Sequence, residues 1–291
     1  VVTPIPNLGL MIIDEEHDQA FKQQEGFRYH GRDVAIKRAY DANIPIILGS
    51  ATPSLESLAN SQRQRYQLHQ LNHRAGGASQ QQYEIIDLRQ QPVTAGISER
   101  LSTVMQTQLQ AGHQVLLMLN RRGFAPSLQC QACGQTVTCP ACDTSMTLHK
   151  SPARLHCHHC DHRQTIAYSC PHCQARQMRP LGSGTERIEE QLQAQFPAYP
   201  VHRIDRDTTR NKGSLAGMLE QIHQGLPCIL IGTQMLAKGH HFPHVTAAVI
   251  VDADSSLFCS DFRAPERLAQ LIIQTSGRAG RASLPGTAYI Q

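Results

Sequence analysis

The sequence predicts an α/β fold with mostly parallel sheets, in two units, the second interrupted by a small zinc-binding insert. Three observations predict it. Short apolar runs alternate with stretches of helical period. A Gly-, Gln- and Ser-rich segment at 73–98 divides that alternation. Eight cysteines crowd into residues 128–178 as C-x-x-C pairs, where neither period appears.

The runs LMIID (10–14), IPIILGS (44–50), VLLMLN (115–120), CILIGT (228–233) and AAVIVD (247–252) are apolar on consecutive residues. Strands covered on both faces have that pattern. VHRID (201–205) is a weaker sixth candidate. Leu101, Val104, Met105 and Leu109 sit at helix spacing, with Gly112 as a stop. Ile188, Leu192 and Phe196 repeat every four residues after the start signal SGTE, and Leu215, Met218, Leu219 and Ile222 form a third stripe. The expected organisation is a first unit at 1–72, a linker at 73–98 around the strand-like YEIIDL, and a second unit at 99–291 carrying the insert at 128–178.

Bulk properties narrow the class. The 291 residues are 40% hydrophobic and 17% charged, as in globular proteins. No apolar run approaches the roughly 20 residues of a membrane helix, and VVTPIPNLGL lacks the parts of a signal peptide. Eight of the ten cysteines lie in one segment of a larger chain, which points to metal in a reducing cytoplasm and not to a disulfide framework. The formal charge of +4 counts every thiol as neutral. Eight thiolates on two zinc ions would offset it, so nucleic-acid contact has to be argued from local patches.

The ligand spacing is C-x2-C-x5-C-x2-C-x14-C-x2-C-x9-C-x2-C, from Cys130, Cys133, Cys139, Cys142, Cys157, Cys160, Cys170 and Cys173. These supply two tetrahedral four-sulfur sites, a donor set that suits structural zinc. An iron–sulfur cluster is the alternative. A piece of about fifty residues lacking a core needs such staples, and structural zinc contributes roughly 10–16 kcal/mol of folding energy. Of two reasonable pairings, the nested one ties both ends of the insert into one site. It groups Cys139, Cys142, Cys157 and Cys160 on one ion and the outer four cysteines on the other.

Several stretches carry nucleotide chemistry. DEEH (14–17) ends a strand in paired acids, a common place for Mg2+ and a water near phosphates; an ordinary acidic turn is the alternative. GSATPS (49–54) follows the next strand, with Thr52 or Ser54 as a candidate helix cap. Between them, Phe21, Lys22, Phe27, Arg28 and Tyr29 mix rings with cations in a Gly-containing loop, suited to stacking unpaired bases and meeting phosphates. Core packing of Phe21 and Phe27 is the alternative. QLIIQTSGRAGR (270–281) places Arg278 and Arg281 beside glycines, and a guanidinium offers a donor fork for phosphate oxygens.

DEEH resembles the D-E-x-H box, GSAT motif III, IGTQMLAKGHHFP motif V and QTSGRAGR motif VI of superfamily 2 helicases. With KQQEG, RYHGRD, LNRRGFAPSL, RIDRDTT and the eight cysteines, nearly the whole chain resembles the bacterial primosomal replication-restart helicases, the PriA family. That resemblance implies RecA-like helicase lobes and an ATP-dependent 3′-to-5′ DNA helicase acting in replication restart and primosome assembly at stalled forks. The implied cofactors are two structural Zn2+, with ATP and Mg2+ in the full-length protein. The implied partners are forked and single-stranded DNA, primosome proteins and single-stranded DNA-binding protein, at the nucleoid.

The resemblance also assigns roles. Asp14 reaches Mg2+, Glu15 activates the attacking water and His17 couples the box to motif III. Arg278 and Arg281 meet the transferred phosphoryl group, with Arg281 as the finger. Ser50, Thr52, Gly239, Gln274 and Gly277 couple nucleotide to motion. Phe21, Lys22, Phe27, Arg28, Tyr29, Arg121, Arg122, Thr233, Gln234 and Lys238 contact DNA. No G-x-x-x-x-G-K-[ST] phosphate loop occurs. The family places that loop and a DNA-binding domain upstream, so the expectation is a fragment with no ATPase of its own. The competing readings are a non-enzymatic zinc module on an inactive NTPase scaffold, binding nucleic acid or primosome proteins, and an RNA-directed or chromatin-type motor.

Overall fold

The computed structural model describes residues 3–23, 26–71, 82–89, 91–94, 96–119, 127–150, 153–157, 159–166, 168–180, 185–204, 214–232, 242–257, 261–280 and 285–291. The chain divides into two compact units, Val1–Asn72 and His73–Gln291. Arg121, Arg122, Thr233, Gln234, Lys238, Gly239 and Arg281 lie outside the described residues.

In the first unit, β1 (Met11–Ile13) is followed by α1 (Gly31–Asp41), β2 (Ile46–Leu48) and α2 (Leu55–Gln62). The two strands pair in parallel, with Ile12 opposite Ile47. α1 packs on β1, where Ile13 is buried along with Ala35 and Ala39 of the helix. The apolar runs predict strands covered on both faces, and here the structure differs: Ile12 is 65% and Ile47 52% exposed. A two-stranded sheet with one helix against it covers one face, so the Ile12–Ile47 face stays open within this unit. Ser54, not Thr52, caps α2; its hydroxyl accepts from the Ser57 N–H at 3.2 Å.

The second unit opens with β3 (Gln82–Ile85), a short hairpin of β4 (Val93–Thr94) and β5 (Ile97–Ser98), then α3 (Glu99–Gln110) and β6 (Gln114–Leu119). The insert carries β7 (Leu128–Cys130), β8 (Thr147–Lys150), β9 (Ala153–His156), β10 (Arg163–Gln164) and β11 (Met178–Pro180). After it come α4 (Thr185–Gln195), β12 (Val201–Ile204), α5 (Ser214–His223), β13 (Ile229–Gly232), β14 (Val245–Val251), α6 (Asp254–Leu257), α7 (Ala264–Ser276) and β15 (Thr287–Ile290).

Six strands form one parallel sheet in the order β12-β13-β6-β14-β15-β3. β6, β13 and β14 are buried at every residue. One face, with Val115, Leu117 and Val249, packs against Leu101 and Met105 of α3 and Ile188 and Leu192 of α4. The other, with Leu116, Met118 and Ile250, packs against Ile222 of α5 and Leu268 and Leu271 of α7. Helices on both faces are why these strands read as unbroken apolar runs. Among the described residues, no helix is long and apolar enough to cross a membrane.

Residues 82–98, expected to be part of a linker, belong to the second unit. YEIIDL supplies the edge strand β3, with Tyr83 opposite Ala288 of β15. Ile86 and Ile97 are buried in the main core. A single edge strand needs only one partner, so the polar residues around it are no obstacle to its pairing. The insert also departs from expectation, because it has a core. Leu128, Val137, Met146, Leu148 and Leu155 pack together with Cys139 and Cys157. Its strands are too short for a periodic signal to emerge.

The turn at 276–280 is seated on the parallel sheet. α7 ends at Gly277, the Gly280 N–H donates to the Val245 carbonyl at 3.0 Å, and Gly280 sits at φ +68°. A Cβ on Gly286 would lie 2.4 Å from backbone atoms of Ala279 and Gly280, so this glycine is required by close approach. Gly286→Ala is expected to cost about 1–3 kcal/mol, the range for overpacking. Gly217→Ala in α5, with nothing within 4 Å of the new Cβ, is expected to gain roughly 0.5–1 kcal/mol. Urea unfolding of both variants checks the pair of signs.

Candidate active site and zinc centres

Parallel pairing brings the ends of β1 and β2 out together. The Gly49 N–H donates to the Ile13 carbonyl at 2.8 Å, and the Glu16 N–H donates to the Gly49 carbonyl at 3.1 Å. The three consecutive acids then separate by environment. Asp14 is exposed, and its Oδ1 accepts from the Glu15 N–H at 2.9 Å. The Glu15 side chain is 40% exposed, and its backbone sits at φ +49°. A non-glycine residue held there carries strain of the kind found at functional sites. Glu16 is buried at 1% exposure.

His17 ties the acidic box to the loop after β2. Its Nδ1 lies 2.7 Å from the Ser50 Oγ and 3.4 Å from Glu15 Oε2. Its Nε2 lies 3.5 Å from the Thr52 Oγ1. The Ser50 Oγ accepts from the Thr52 N–H at 2.9 Å, fixing the small hydroxyl residues against one another. Exposed Asp14 and half-exposed Glu15 fit Mg2+, which takes one or two protein carboxylates and completes its shell with water and phosphate oxygens.

Glu16 and Arg32 were not singled out from the sequence. Glu16 accepts from the Ser54 N–H (2.6 Å), the Ser54 Oγ (3.0 Å), the Ser57 Oγ (2.9 Å) and the Arg32 Nη1 (2.8 Å). Burial raises the Glu16 carboxyl, but the Ser54 amide, the Arg32 guanidinium and the two hydroxyls outweigh it and hold the carboxyl below its ordinary value. The only sequence signal was the third acid itself. Nothing in a D-E-E-H string says which acid turns inward.

The aromatic loop presents its groups outward. The Gln23 N–H donates to the Tyr29 carbonyl at 2.9 Å, and Lys22 bridges His30. Phe27 is 86% exposed, which removes the core-packing alternative for it. Its ring centroid lies 6.2 Å from that of Tyr29, with exposed Arg28 between them in sequence and exposed Lys22 at the loop's start. Phe21 differs: it is half-buried and lies against Gly31.

In the second unit, Gln274 is half-buried near the end of α7, and the Gly277 N–H closes that helix on the Ile273 carbonyl at 3.0 Å. Arg278 is 8% exposed. Ser276, directly before this turn, meets the Tyr83 hydroxyl at 3.0 Å, a contact with no sequence signal.

Among the described residues, two sets of cysteine sulfurs converge. They are Cys130, Cys133, Cys170 and Cys173, and Cys139, Cys142, Cys157 and Cys160. This is the nested pairing, and the antiparallel β7–β11 pair closes the insert's root beside the outer set. The sulfur separations are 3.6 Å for Cys130–Cys173 and Cys133–Cys170. They are 3.5 Å for Cys139–Cys160 and Cys142–Cys157. Tetrahedral Zn–S bonds of about 2.3 Å place sulfurs roughly 3.8 Å apart, whereas a disulfide needs about 2.05 Å. The donor set and spacing fit two structural zinc ions.

All four C-x-x-C pairs use one turn. In each, the residue after the second cysteine sits at positive φ: Gly134 at +78°, Asp143 at +58°, Asp161 at +62° and Gln174 at +62°. Their N–H groups donate to the carbonyls of Cys130, Cys139, Cys157 and Cys170 at 2.8–3.0 Å. Only Gly134 was legible as such a position; aspartate tolerates it, and glutamine gives no cue.

A protein-family model described as the PriA DNA helicase Cys-rich region (CRR) domain matches residues 139–164, and one described as the Helicase conserved C-terminal domain matches 173–283. The Replication restart protein PriA of Haemophilus influenzae is 51% identical over 99% of this chain. The chain belongs to the PriA family. It is also 42% identical to PriA of Bacillus subtilis over 100% of its length, and 41% identical to PriA of Rickettsia felis over 99%. It spans 40%, 36% and 45% of those three PriA proteins respectively. The structure of S. cerevisiae Dbp5 L327V bound to RNA and ADP BeF3 covers 99% of this chain and 54% of its own at a TM-score of 0.44 and 13% identity, a likeness too slight to carry weight.

Metal analysis of the purified chain is expected to find two zinc ions. Cys139→Ser should lower that to one while the outer site keeps its ion, and two ions retained by that variant would contradict the nested assignment.

Proposed function

We propose that this chain is the motor portion of an ATP-dependent 3′-to-5′ DNA helicase that acts in replication restart and primosome assembly at stalled forks. The observation that carries this reading is the 2.7 Å contact between His17 and Ser50, which joins the acidic box to the S-A-T loop. ATP with Mg2+ supplies the transferable phosphoryl group. Asp14, exposed at the strand end, binds the metal. Glu15, half-exposed beside it, takes the proton of the attacking water. His17 holds Glu15 against Ser50 and Thr52, so that the loop after β2 senses the state of the box.

DNA enters the proposal through the outward rings of Phe27 and Tyr29 with Arg28 and Lys22, which suit stacked bases and backbone phosphates. Half-buried Phe21 supports that loop. By family resemblance Arg121, Arg122, Thr233, Gln234 and Lys238 add contacts to the DNA. Gly239, Gln274 and Gly277 shape the nucleotide-coupling turns, and Arg278 and Arg281 serve the phosphoryl group, with Arg281 as the finger. Buried Arg278 fits the anchoring of that turn. The proposed partners are forked and single-stranded DNA, primosome proteins and single-stranded DNA-binding protein, in the bacterial nucleoid. The division into a first lobe (1–72) and a second lobe with its zinc insert belongs to the same proposal.

A full-length PriA-family protein carrying these residues is expected to hydrolyse ATP only with DNA present. Glu15→Gln should lower that turnover by about 10²–10⁴-fold, the span of a general base, with zinc content unchanged. Undiminished turnover would remove Glu15 from this role. An unaltered protein without ATPase would favour the scaffold reading.

A further inference from the structure

The stretch between β14 and α7 presents an exposed ring. Phe262 is 86% exposed, as is Phe27 of the first unit, and an arginine follows each in sequence. A single exposed apolar side chain is ordinary. What sets Phe262 apart is how firmly its backbone is held. The Arg263 N–H donates to Asp261 Oδ1 at 3.0 Å, and the Ala264 N–H donates to the Asp261 carbonyl at 2.9 Å. The Arg267 guanidinium pairs with the other Asp261 oxygen, and Arg263 Nη1 donates to Glu266 Oε2 at 3.2 Å. Buried Ala264 opens α7, whose Leu268 and Leu271 dock on the sheet. The ring therefore stands on a fixed turn, and a ligand that covers it has little backbone to order. The Arg263 guanidinium lies 5.2 Å from the ring centroid, within cation–π range. With so much of Phe262 exposed, the opposite face of the ring is open.

The sheet decides where that ring lies. β13, β6 and β14 are parallel neighbours, so Gly232, Leu119 and Val251 all finish at one end of the sheet. α7 starts beyond that end and runs back along the sheet, closing with the Gly280 contact to Val245 at the other end of β14. Arg121 and Arg122 follow β6 in sequence, and Thr233 and Gln234 follow β13; these are positions that family resemblance gives to DNA. The turn itself has no surplus charge for a phosphate, because Asp261 and Glu266 answer Arg267 and Arg263. It offers instead a flat apolar face with a guanidinium behind it. An unpaired base can cover such a face, whereas a base inside a duplex already has stacked neighbours.

We propose that Phe262, backed by Arg263, is a stacking site on the second unit for one unpaired base of single-stranded DNA. This rests on the reading of the chain as part of a DNA helicase. Every base has a π-face, so the contact tolerates any sequence. It neutralises no phosphate, so it adds nothing to the salt dependence of binding.

The test uses a full-length PriA-family protein bearing these residues, with oligo-dT and a base-free sugar-phosphate strand of equal length as probes. Phe262→Ala is expected to weaken oligo-dT binding, read by anisotropy, about 5–150-fold, which corresponds to roughly 1–3 kcal/mol for one stacked base. The oligo-dT concentration giving half-maximal ATPase should rise by the same factor, with turnover at saturating oligo-dT unchanged. Affinity for the base-free strand, and the slope of log affinity against log salt, should not move. Phe262→Tyr, which keeps a ring, should bind oligo-dT as the unaltered protein does. Unchanged oligo-dT affinity in Phe262→Ala would overturn the proposal and favour a protein partner for the ring. An equal loss on the base-free strand, or a loss that Phe262→Tyr shares, would overturn it as well, since either would mean that the residue only supports the fold. An unaltered protein that binds no oligo-dT would overturn the helicase reading itself, whereas binding that ignores Phe262 overturns this inference alone.

Discussion

A parallel strand needs cover on both faces, and that requirement organises this chain. In the second unit it is met: α3 and α4 lie on one side of the sheet, α5 and α7 on the other, and β6, β13 and β14 are buried throughout. Covered faces leave only the strand ends for chemistry, and in open α/β sheets ligands gather at those carboxyl ends. β1 and β2 of the first unit follow the same logic. Their parallel register delivers Asp14–His17 and Gly49–Thr52 to one place. The open Ile12–Ile47 face shows the requirement from the other side, as an apolar pattern without its second layer.

The insert solves a different problem. Its few buried side chains cannot hold it as a large core would, and metal supplies the remainder. The nested arrangement places one four-sulfur set near the root, where β7 and β11 pair, and the other among the short hairpins. Repeating one turn at all four C-x-x-C pairs gives each sulfur pair the same geometry on different sequence. Asp143, Asp161 and Gln174 accept left-handed backbone to make that possible.

The strands and helices were legible because their apolar periodicity follows directly from burial. Leu101, Val104, Met105 and Leu109 form the inner face of α3 as their spacing implied. The ligand cysteines were legible because thiolate spacing has few other uses. What escaped was decided by tertiary context. YEIIDL became an edge strand because β15 was there to pair with it. Glu16 turned inward because Arg32, Ser54 and Ser57, distant in sequence, surround it. Arg278 is buried, and no property of S-G-R-A-G-R announces that burial. Tyr83 reached Ser276 across 193 positions of sequence, a contact that only the sheet order creates.

We propose that nucleotide hydrolysis by the full-length PriA-family protein drives movement along DNA with a fixed polarity. The most direct measurement is strand displacement by the full-length protein on a fork labelled on one arm, with single-stranded DNA offered at either the 3′ or the 5′ side. The account predicts displacement from the 3′ single-stranded arm that requires both ATP and Mg2+. Equal displacement without hydrolysable nucleotide, or displacement only from the 5′ arm, would contradict it.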